Sequence, residues 1–335
     1  MSMKIPVIGI GNPLMDTITH VDFSVVKDLG AEPGSMNLVD EKQLAKVLSL
    51  VKKSVETPGG SCANTMRGLA WLLEGDEDFS RPVYTGAVGE DPLAERLSKG
   101  LDVIGVEPEL PGKRDSQTGV SIILVTPDNE RTMFTYLGAC REYSKEDFPL
   151  GVLDNKPVWL HIAGYMWDTE NQKNAVRFAV EEALRRHMKI SFDLADPFVV
   201  ERYRNDFIAW LPGKIDLLFA NRTELSCLTG IDGSDEEILE KAGKYGETIV
   251  MKVGKKGCWV SRRGYSIHFP CVDIAPPSDT TGAGDSFAAG FLYGIVKGET
   301  FHDCADIANR IASGIVTVQG CDYSNIDRNY VLGKG

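Results

Sequence analysis

Paired cysteines are missing from this sequence. Its seven cysteines, Cys62, Cys140, Cys227, Cys258, Cys271, Cys304 and Cys321, are scattered, odd in number and never spaced as C-x-x-C. That spacing excludes a disulfide framework and a zinc site built from close ligand pairs. Reduced thiols in a cytoplasmic protein are therefore expected. The five histidines are equally dispersed and no H-E-x-x-H occurs, so no zincin-type centre is encoded. No apolar run approaches the roughly 18 residues of a membrane span. The first short run, Val7–Ile10, is interrupted by glycine and suits a strand better than a signal peptide. Basic residues are in deficit, 36 Lys and Arg against 48 Asp and Glu, for a net charge of −12. Such a surface repels nucleic acid and anionic membranes, so an anionic substrate needs a local positive site. Two nucleotide signatures are absent as well. No Gly-Lys pair is followed by Ser or Thr, so there is no Walker A loop. Gly9-Ile10-Gly11-Asn12-Pro13-Leu14 begins like a dinucleotide fingerprint, but Leu14 replaces the third glycine and Pro13 interrupts it. A dinucleotide-dependent oxidoreductase is thereby disfavoured.

What is present is an ordinary globular composition. The 335 residues are 43% hydrophobic and 25% charged, enough to bury a sizeable core. Apolar runs of strand length at 7–10, 83–87, 158–162, 190–192, 217–220 and 249–253 alternate with helix-period stretches. Those stretches cover 61–73, 93–102, 170–186, 223–228 and 234–245. Such alternation predicts a doubly wound α/β fold, a mostly parallel sheet flanked by helices, within one domain over 1–335. Residues 17–39 and 105–138 break the rhythm with alternating segments and no intervening helix. They predict a small, mostly antiparallel β lid made by insertions at about 14–40 and 105–140. Ordinary edge hairpins are the alternative.

The most informative stretch is Asp279-Thr280-Thr281-Gly282-Ala283-Gly284-Asp285-Ser286-Phe287, which runs into a strongly apolar helix. Gly282, Ala283 and Gly284 leave backbone N–H groups uncovered at the positive end of that helix. This is an anion hole suited to a transferring phosphoryl group. Asp285, on the same turn, is the candidate catalytic base for an attacking hydroxyl. The bland alternative is a helix start whose acidic residue merely satisfies the dipole.

The 279–287 string resembles the C-terminal signature of the ribokinase-like (PfkB) carbohydrate kinases. Gly59-Gly60-Ser61-Cys62-Ala63-Asn64 is similar to that family's Gly-Gly-x-x-x-Asn element, and Asn221-Arg222-Thr223-Glu224 to its Asn-x-x-Glu motif. The motifs stand in family order over nearly the whole chain. Within the family, Gly11-Asn12-Pro13-Leu14-Met15-Asp16, Met36-Asn37-Leu38-Val39-Asp40 and Thr135-Tyr136-Leu137-Gly138-Ala139-Cys140 resemble the adenosine kinase branch.

The resemblance implies ATP-dependent transfer of the γ-phosphoryl group to a primary hydroxyl of a nucleoside, with adenosine as the leading acceptor. Sugars such as ribose or fructose remain the alternative, and a non-catalytic nucleotide or sugar sensor is the alternative of another class. It implies substrate contacts from Asn12, Asp16, Gly59, Gly60 and Asn64. Asp16 would grip vicinal hydroxyls, since a carboxylate accepts two protons at once. Leu14, Met36, Leu137, Ala139 and Tyr165 would line the base or sugar pocket, and Arg131 would reach from the lid. Asn221, Glu224, Lys252, Gly254, Gly257 and Asn309 are implied for ATP. Glu224 would order water around Mg²⁺, and Asp279 with Thr281 would form a K⁺ site. Each has a plainer reading: Asn221 and Glu224 as a helix cap, the apolar residues as core, Arg131 as a surface charge. The aromatic residues that stack the base in animal adenosine kinases are not cleanly reproduced. The chain is expected to act as a monomer or homodimer on a small molecule, without nucleic-acid or membrane partners.

Overall fold

The computed structural model describes residues 3–51, 54–128, 130–271 and 277–334. Its main sheet has nine strands. In spatial order they are Tyr265–Phe269, Cys258–Arg262, Thr248–Lys252, Leu217–Asn221, Lys189–Asp193, Trp159–Ala163, Val7–Ile10, Val83–Thr85 and Glu107–Glu109. The seven from Thr248–Lys252 onward pair in parallel, and the first two form an antiparallel hairpin at one edge. Strand period sets which side chains go where. Ile8, Ile10, Leu160, Ile162, Ile190, Phe192, Ile249 and Met251 enter one core with the helices Glu170–Arg185 and Asp235–Ala242. Val7, Trp159, Leu217, Phe219 and Val250 enter the other, against the helices Ser61–Leu72, Ala283–Lys297 and Phe301–Ile315. The doubly wound sheet follows from apolar strands that must bury both faces.

Among the described residues, no helix is long and apolar enough to cross a membrane.

A five-stranded sheet sits apart, ordered Met36–Leu38, Arg131–Tyr136, Gly119–Val125, Leu14–His20, Val55–Gly59. It differs from the expected lid in three ways. Its pairings are mixed: two antiparallel, and two parallel, namely Met36–Leu38 with Arg131–Tyr136 and Leu14–His20 with Gly119–Val125. Helix Phe23–Asp28 lies within its first insertion, where none was expected, and helix Glu41–Leu50 follows directly after it. The second is capped at both ends of its first turn by Asp40 and Gln43. Third, the sheet includes Val55–Gly59, while Glu107–Glu109 belongs to the main sheet. Val55–Gly59 is an edge strand carrying an exposed valine and a proline, so it has no apolar alternation to announce it.

The Ala283–Lys297 helix is drawn against its neighbours by small residues. A Cβ on Gly290 would come within 2.7 Å of Ala308 Cα, and one on Gly68 within 2.8 Å of Ala289 Cβ. Both contacts allow little give in a close-packed core. Gly290→Leu is therefore expected to lower the melting temperature by roughly 1–4 °C, from ~1–3 kcal/mol of overpacking. An unchanged melting curve would show that the two helices part freely.

Candidate active site

The parallel strands end where the chemistry-bearing residues gather: Asp193 closes Lys189–Asp193, Asn221 closes Leu217–Asn221 and Lys252 closes Thr248–Lys252. The carboxyl ends of open α/β sheets are where ligands bind. A cavity of about 650 Å³ lies between these ends and the small sheet, lined by Asp16, Asn64 and Asp285 among others.

Gly282 is the residue before the Ala283–Lys297 helix, with φ at +70°. A Cβ there would come within 2.1 Å of Cys321 Sγ, so both backbone and space require glycine. Of the three expected anion-hole amides, that of Ala283 already donates to Thr280 O at 3.3 Å. The helix start still leaves its remaining first-turn N–H groups without intrahelical partners. Asp285 sits in that first turn. Its Oδ1 accepts from Ser61 Oγ at 2.7 Å and its Oδ2 from Asn64 Nδ2 at 3.1 Å. Burial pushes its carboxyl up to about 6, against the opposing pull of the Ser61 and Asn64 hydrogen bonds. A carboxylate with a pKa near neutrality can both accept and release a proton.

Asn64 is committed at both ends. Its Oδ1 accepts from Arg67 Nη1 at 3.0 Å, and the same nitrogen donates to Pro58 O at 2.8 Å. Arg67 Nη2 donates to Cys321 O at 2.8 Å. This buried arginine thus fixes which way the Asn64 amide faces, so Asn64 lines the cavity while its amide positions Asp285.

Asp16 stands on Leu14–His20 and opens into the same cavity. Burial pushes its carboxyl up to about 7, with Arg67 and Arg131 opposing. Gly59 does not line the cavity. A Cβ on it would come within 2.1 Å of the Asp16 carboxyl carbon, so the missing side chain makes room for Asp16 rather than for a ligand. Gly60 does line it, with φ at +95°, and a Cβ there would come within 2.3 Å of Asn12 O. Asn12 also reaches the wall, but its amide is occupied by Tyr165 O at 3.2 Å and Gln172 Nε2 at 2.8 Å. Leu14, Met36, Leu137 and Tyr165 line the cavity; Ala139 is wholly buried behind it, its N–H bonded to Gln117 O.

Arg131 reaches from the small sheet to Asp279, Nη2 to Oδ2 at 2.7 Å. Asp279 Oδ1 also accepts from the Thr281 amide at 2.8 Å and Oδ2 from the Gly320 amide at 2.6 Å. All three of these partners are N–H donors, whereas a cation site presents oxygen lone pairs to the ion. Asp279 and Thr281 so arranged do not fit K⁺.

The residues expected for ATP fall into two groups. Lys252 Nζ pairs with Asp193 Oδ2 at 2.9 Å and lies 3.3 Å from where a Cβ on Gly284 would be. That brings its ammonium to the helix start beside Asp285. Burial works against its charge, but Asp193 and Glu224 raise its pKa. Glu224 is buried, its carboxyl pushed up to about 7 by burial and held back by Lys252. Both of its oxygens accept from Asn221, whose own Oδ1 accepts from the Glu224 amide at 2.8 Å. The pair is a closed capping box. Among the described residues no group of three or more His, Cys, Asp and Glu is arranged to hold a metal. None of the six residues expected for ATP, Gly254, Gly257 and Asn309 included, lines the cavity. A Cβ on Gly257 would come within 2.1 Å of Phe269 O, and Asn309 Nδ2 approaches Pro270 O at 3.5 Å.

Asp193, Ser61 and Arg67 were not singled out from the sequence. Asp193 had a signal, as the residue following an apolar strand of a parallel sheet. Arg67 had none, because one buried arginine on a helix looks like any other.

A carboxylate base at the open end of a helix, beside a buried ammonium and facing a cavity under a small sheet, defines a phosphoryl-transferring enzyme. The comparisons with known proteins agree. The profile described as pfkB family carbohydrate kinase matches residues 34–328, and the chain belongs to that family. It is a phosphotransferase with an alcohol group as acceptor. It is similar to the adenosine kinase of Sinorhizobium meliloti, with a TM-score of 0.88 and 31% identity over 98% of each chain. It resembles equally, at a TM-score of 0.88 and 30% identity, a protein from Rhizobium etli described as a probable sugar kinase, over 96% of this chain and 95% of that one. The adenosine kinase of Dictyostelium discoideum is 26% identical over 333 residues, 95% of this chain and 96% of its own.

Desolvation of the Asp16 carboxylate generates a pH-dependent cost. Its folded pKa near 7 exceeds the unfolded value of 3.8, so stability is full below the unfolded value and is lost as pH rises toward 7. Asp16→Asn is expected to raise the melting temperature of the ligand-free protein by several degrees, roughly, above pH 7. The gain should vanish toward pH 4. A gain of equal size at both pH values would mean that the asparagine simply packs better.

Proposed function

We propose that the chain transfers the γ-phosphoryl group of ATP to the 5′-hydroxyl of adenosine, giving AMP. The observation that carries this reading is that Asp16 and Asp285 open into one cavity, where Leu14, Met36, Ile123 and Leu137 form an apolar patch on a lid wall that also carries Ser121, Arg131 and Thr135. Asp16 accepts two vicinal ribose hydroxyls. That would point the 5′-carbon toward Asp285, which takes the hydroxyl proton as the oxygen attacks phosphorus. The amides at Gly282–Gly284 meet the charge on the equatorial oxygens, and Lys252 adds its own positive charge. Mg²⁺, when bound with ATP, supplies charge neutralisation across the phosphate oxygens, and the buried Glu224 can accept a hydrogen bond from one of its waters. The reading of a flat, weakly polar base rests on Leu14, Met36, Ile123 and Leu137 along the lid side and on Phe198, half-exposed at the wall. Closing the small sheet over the substrate excludes water, which otherwise competes as acceptor. The likeness to a Rhizobium etli protein described as a sugar kinase keeps a free sugar as the second reading.

ADP release with ATP and Mg²⁺ against adenosine, inosine, guanosine, ribose and fructose tests this. Adenosine should turn over well ahead of the rest. A sugar winning would leave the transfer chemistry intact and make the apolar wall plain packing.

Asp285→Asn is expected to lower kcat by about 10² or more while ATP still binds. Turnover within a few-fold of the original protein would remove Asp285 from its role. Since the free-enzyme carboxyls of Asp285 and Asp16 are pushed up to about 6 and about 7, kcat/KM should rise with pH to a plateau above about 7, and a profile flat from pH 5 upward would contradict a base at Asp285. Asp16→Asn should raise KM for adenosine by about tenfold or more with a smaller change in kcat, as fits loss of a charged hydrogen-bond acceptor.

A further inference from the structure

We propose that the Arg131 guanidinium occupies the position of a monovalent cation at Asp279, so that closure of the small sheet, rather than a bound ion, fixes the phosphate-binding turn. This rests on the kinase reading above.

The Asp279 side chain is 5% exposed, and a buried carboxylate needs a positive partner. Arg131 is that partner, at 2.7 Å, its own side chain 11% exposed. The remaining contacts are the Thr281 and Gly320 amides. Both lead directly to the phosphate-binding turn. Thr281 precedes Gly282, and Gly320 precedes Cys321, whose sulfur packs where Gly282 lacks a side chain. Asp279 thus ties together the two segments that shape the turn, and it does so while neutralised by a charge from the lid.

Arg131 opens the strand Arg131–Tyr136 of the small sheet, while Asp279 belongs to the core. The pair therefore exists only when the two approach. Arg131 Nη1 is buried and has no hydrogen-bond partner among the described residues. A fork with one arm on Asp279 and one arm free is placed to take an oxygen of a bound ligand. A hydrated or oxygen-ligated ion could not both neutralise Asp279 and report that the lid had closed; an arginine on the lid does both.

The test compares the original protein with Arg131→Ala and Arg131→Lys in buffers whose cation is tetramethylammonium, with and without added K⁺ or guanidinium. Turnover of the original protein should change less than about twofold on adding K⁺. Arg131→Ala should lose about tenfold or more and regain several-fold with guanidinium or K⁺, and Arg131→Lys should fall between them. In parallel, thermal melting without any acceptor should show K⁺ raising the melting temperature of Arg131→Ala and not of the original protein. K⁺ stimulating the original protein several-fold would overturn the proposal. So would an Arg131→Ala variant that folds yet shows neither rescue nor a K⁺-dependent melting shift. The melting measurement needs no turnover, so it still reads if adenosine proves not to be the acceptor. In that case loss of all kinase activity in the original protein would count against the function, not against this site.

Discussion

Everything at this site depends on one carboxylate held at the open end of one helix. Asp285 is half-buried, and burial alone would favour its protonated form. Two donors from another helix, Ser61 and Asn64, hold it in place and support its charge. They stand 224 and 221 residues away in sequence, so the interaction exists only because two helices pack closely on the same sheet face. That approach in turn requires Gly68, whose missing side chain leaves room for Ala289, while Gly290 lets the Phe301–Ile315 helix close in at Ala308. Arg67 then settles the Asn64 amide, spending its other nitrogen on Cys321 O behind Gly282. Helix packing, amide orientation and base are parts of one hydrogen-bond network.

Charge is arranged around that base in layers. Lys252 brings one positive charge from the sheet end and is kept protonated by Asp193 and Glu224. Arg131 brings another from the lid to Asp279. In a chain of net charge −12, these two largely buried cations are what make an anionic donor welcome. Glu224 serves here first as the partner of Asn221 in a helix cap, so the plainer reading of Asn-x-x-Glu and the functional one describe the same hydrogen bonds.

Much was legible in the sequence because the signals are local. Apolar strand runs alternating with helix periods specify a doubly wound sheet, since both faces must be buried. The Gly282–Asp285 turn announces an anion hole because only glycine tolerates its backbone and its neighbour Cys321. Less legible were elements whose character is set by their neighbours. The Pro197–Trp210 helix carries the exposed Phe198 and a kink at Tyr203, and Val55–Gly59 is a strand only because Leu14–His20 lies beside it.

The residues of the chemistry, and the class of fold that carries them, were thus determined by the sequence, because glycine placement, helix starts and strand periods act over a few positions. Their division of labour was decided by the tertiary structure. Gly59 makes space for Asp16, Asn64 and Ser61 hold Asp285, Ala139 retreats behind the wall, and Asp279 meets Arg131 from the small sheet. Each of these depends on groups distant in the chain meeting within a few ångströms, and only packing brings such groups together.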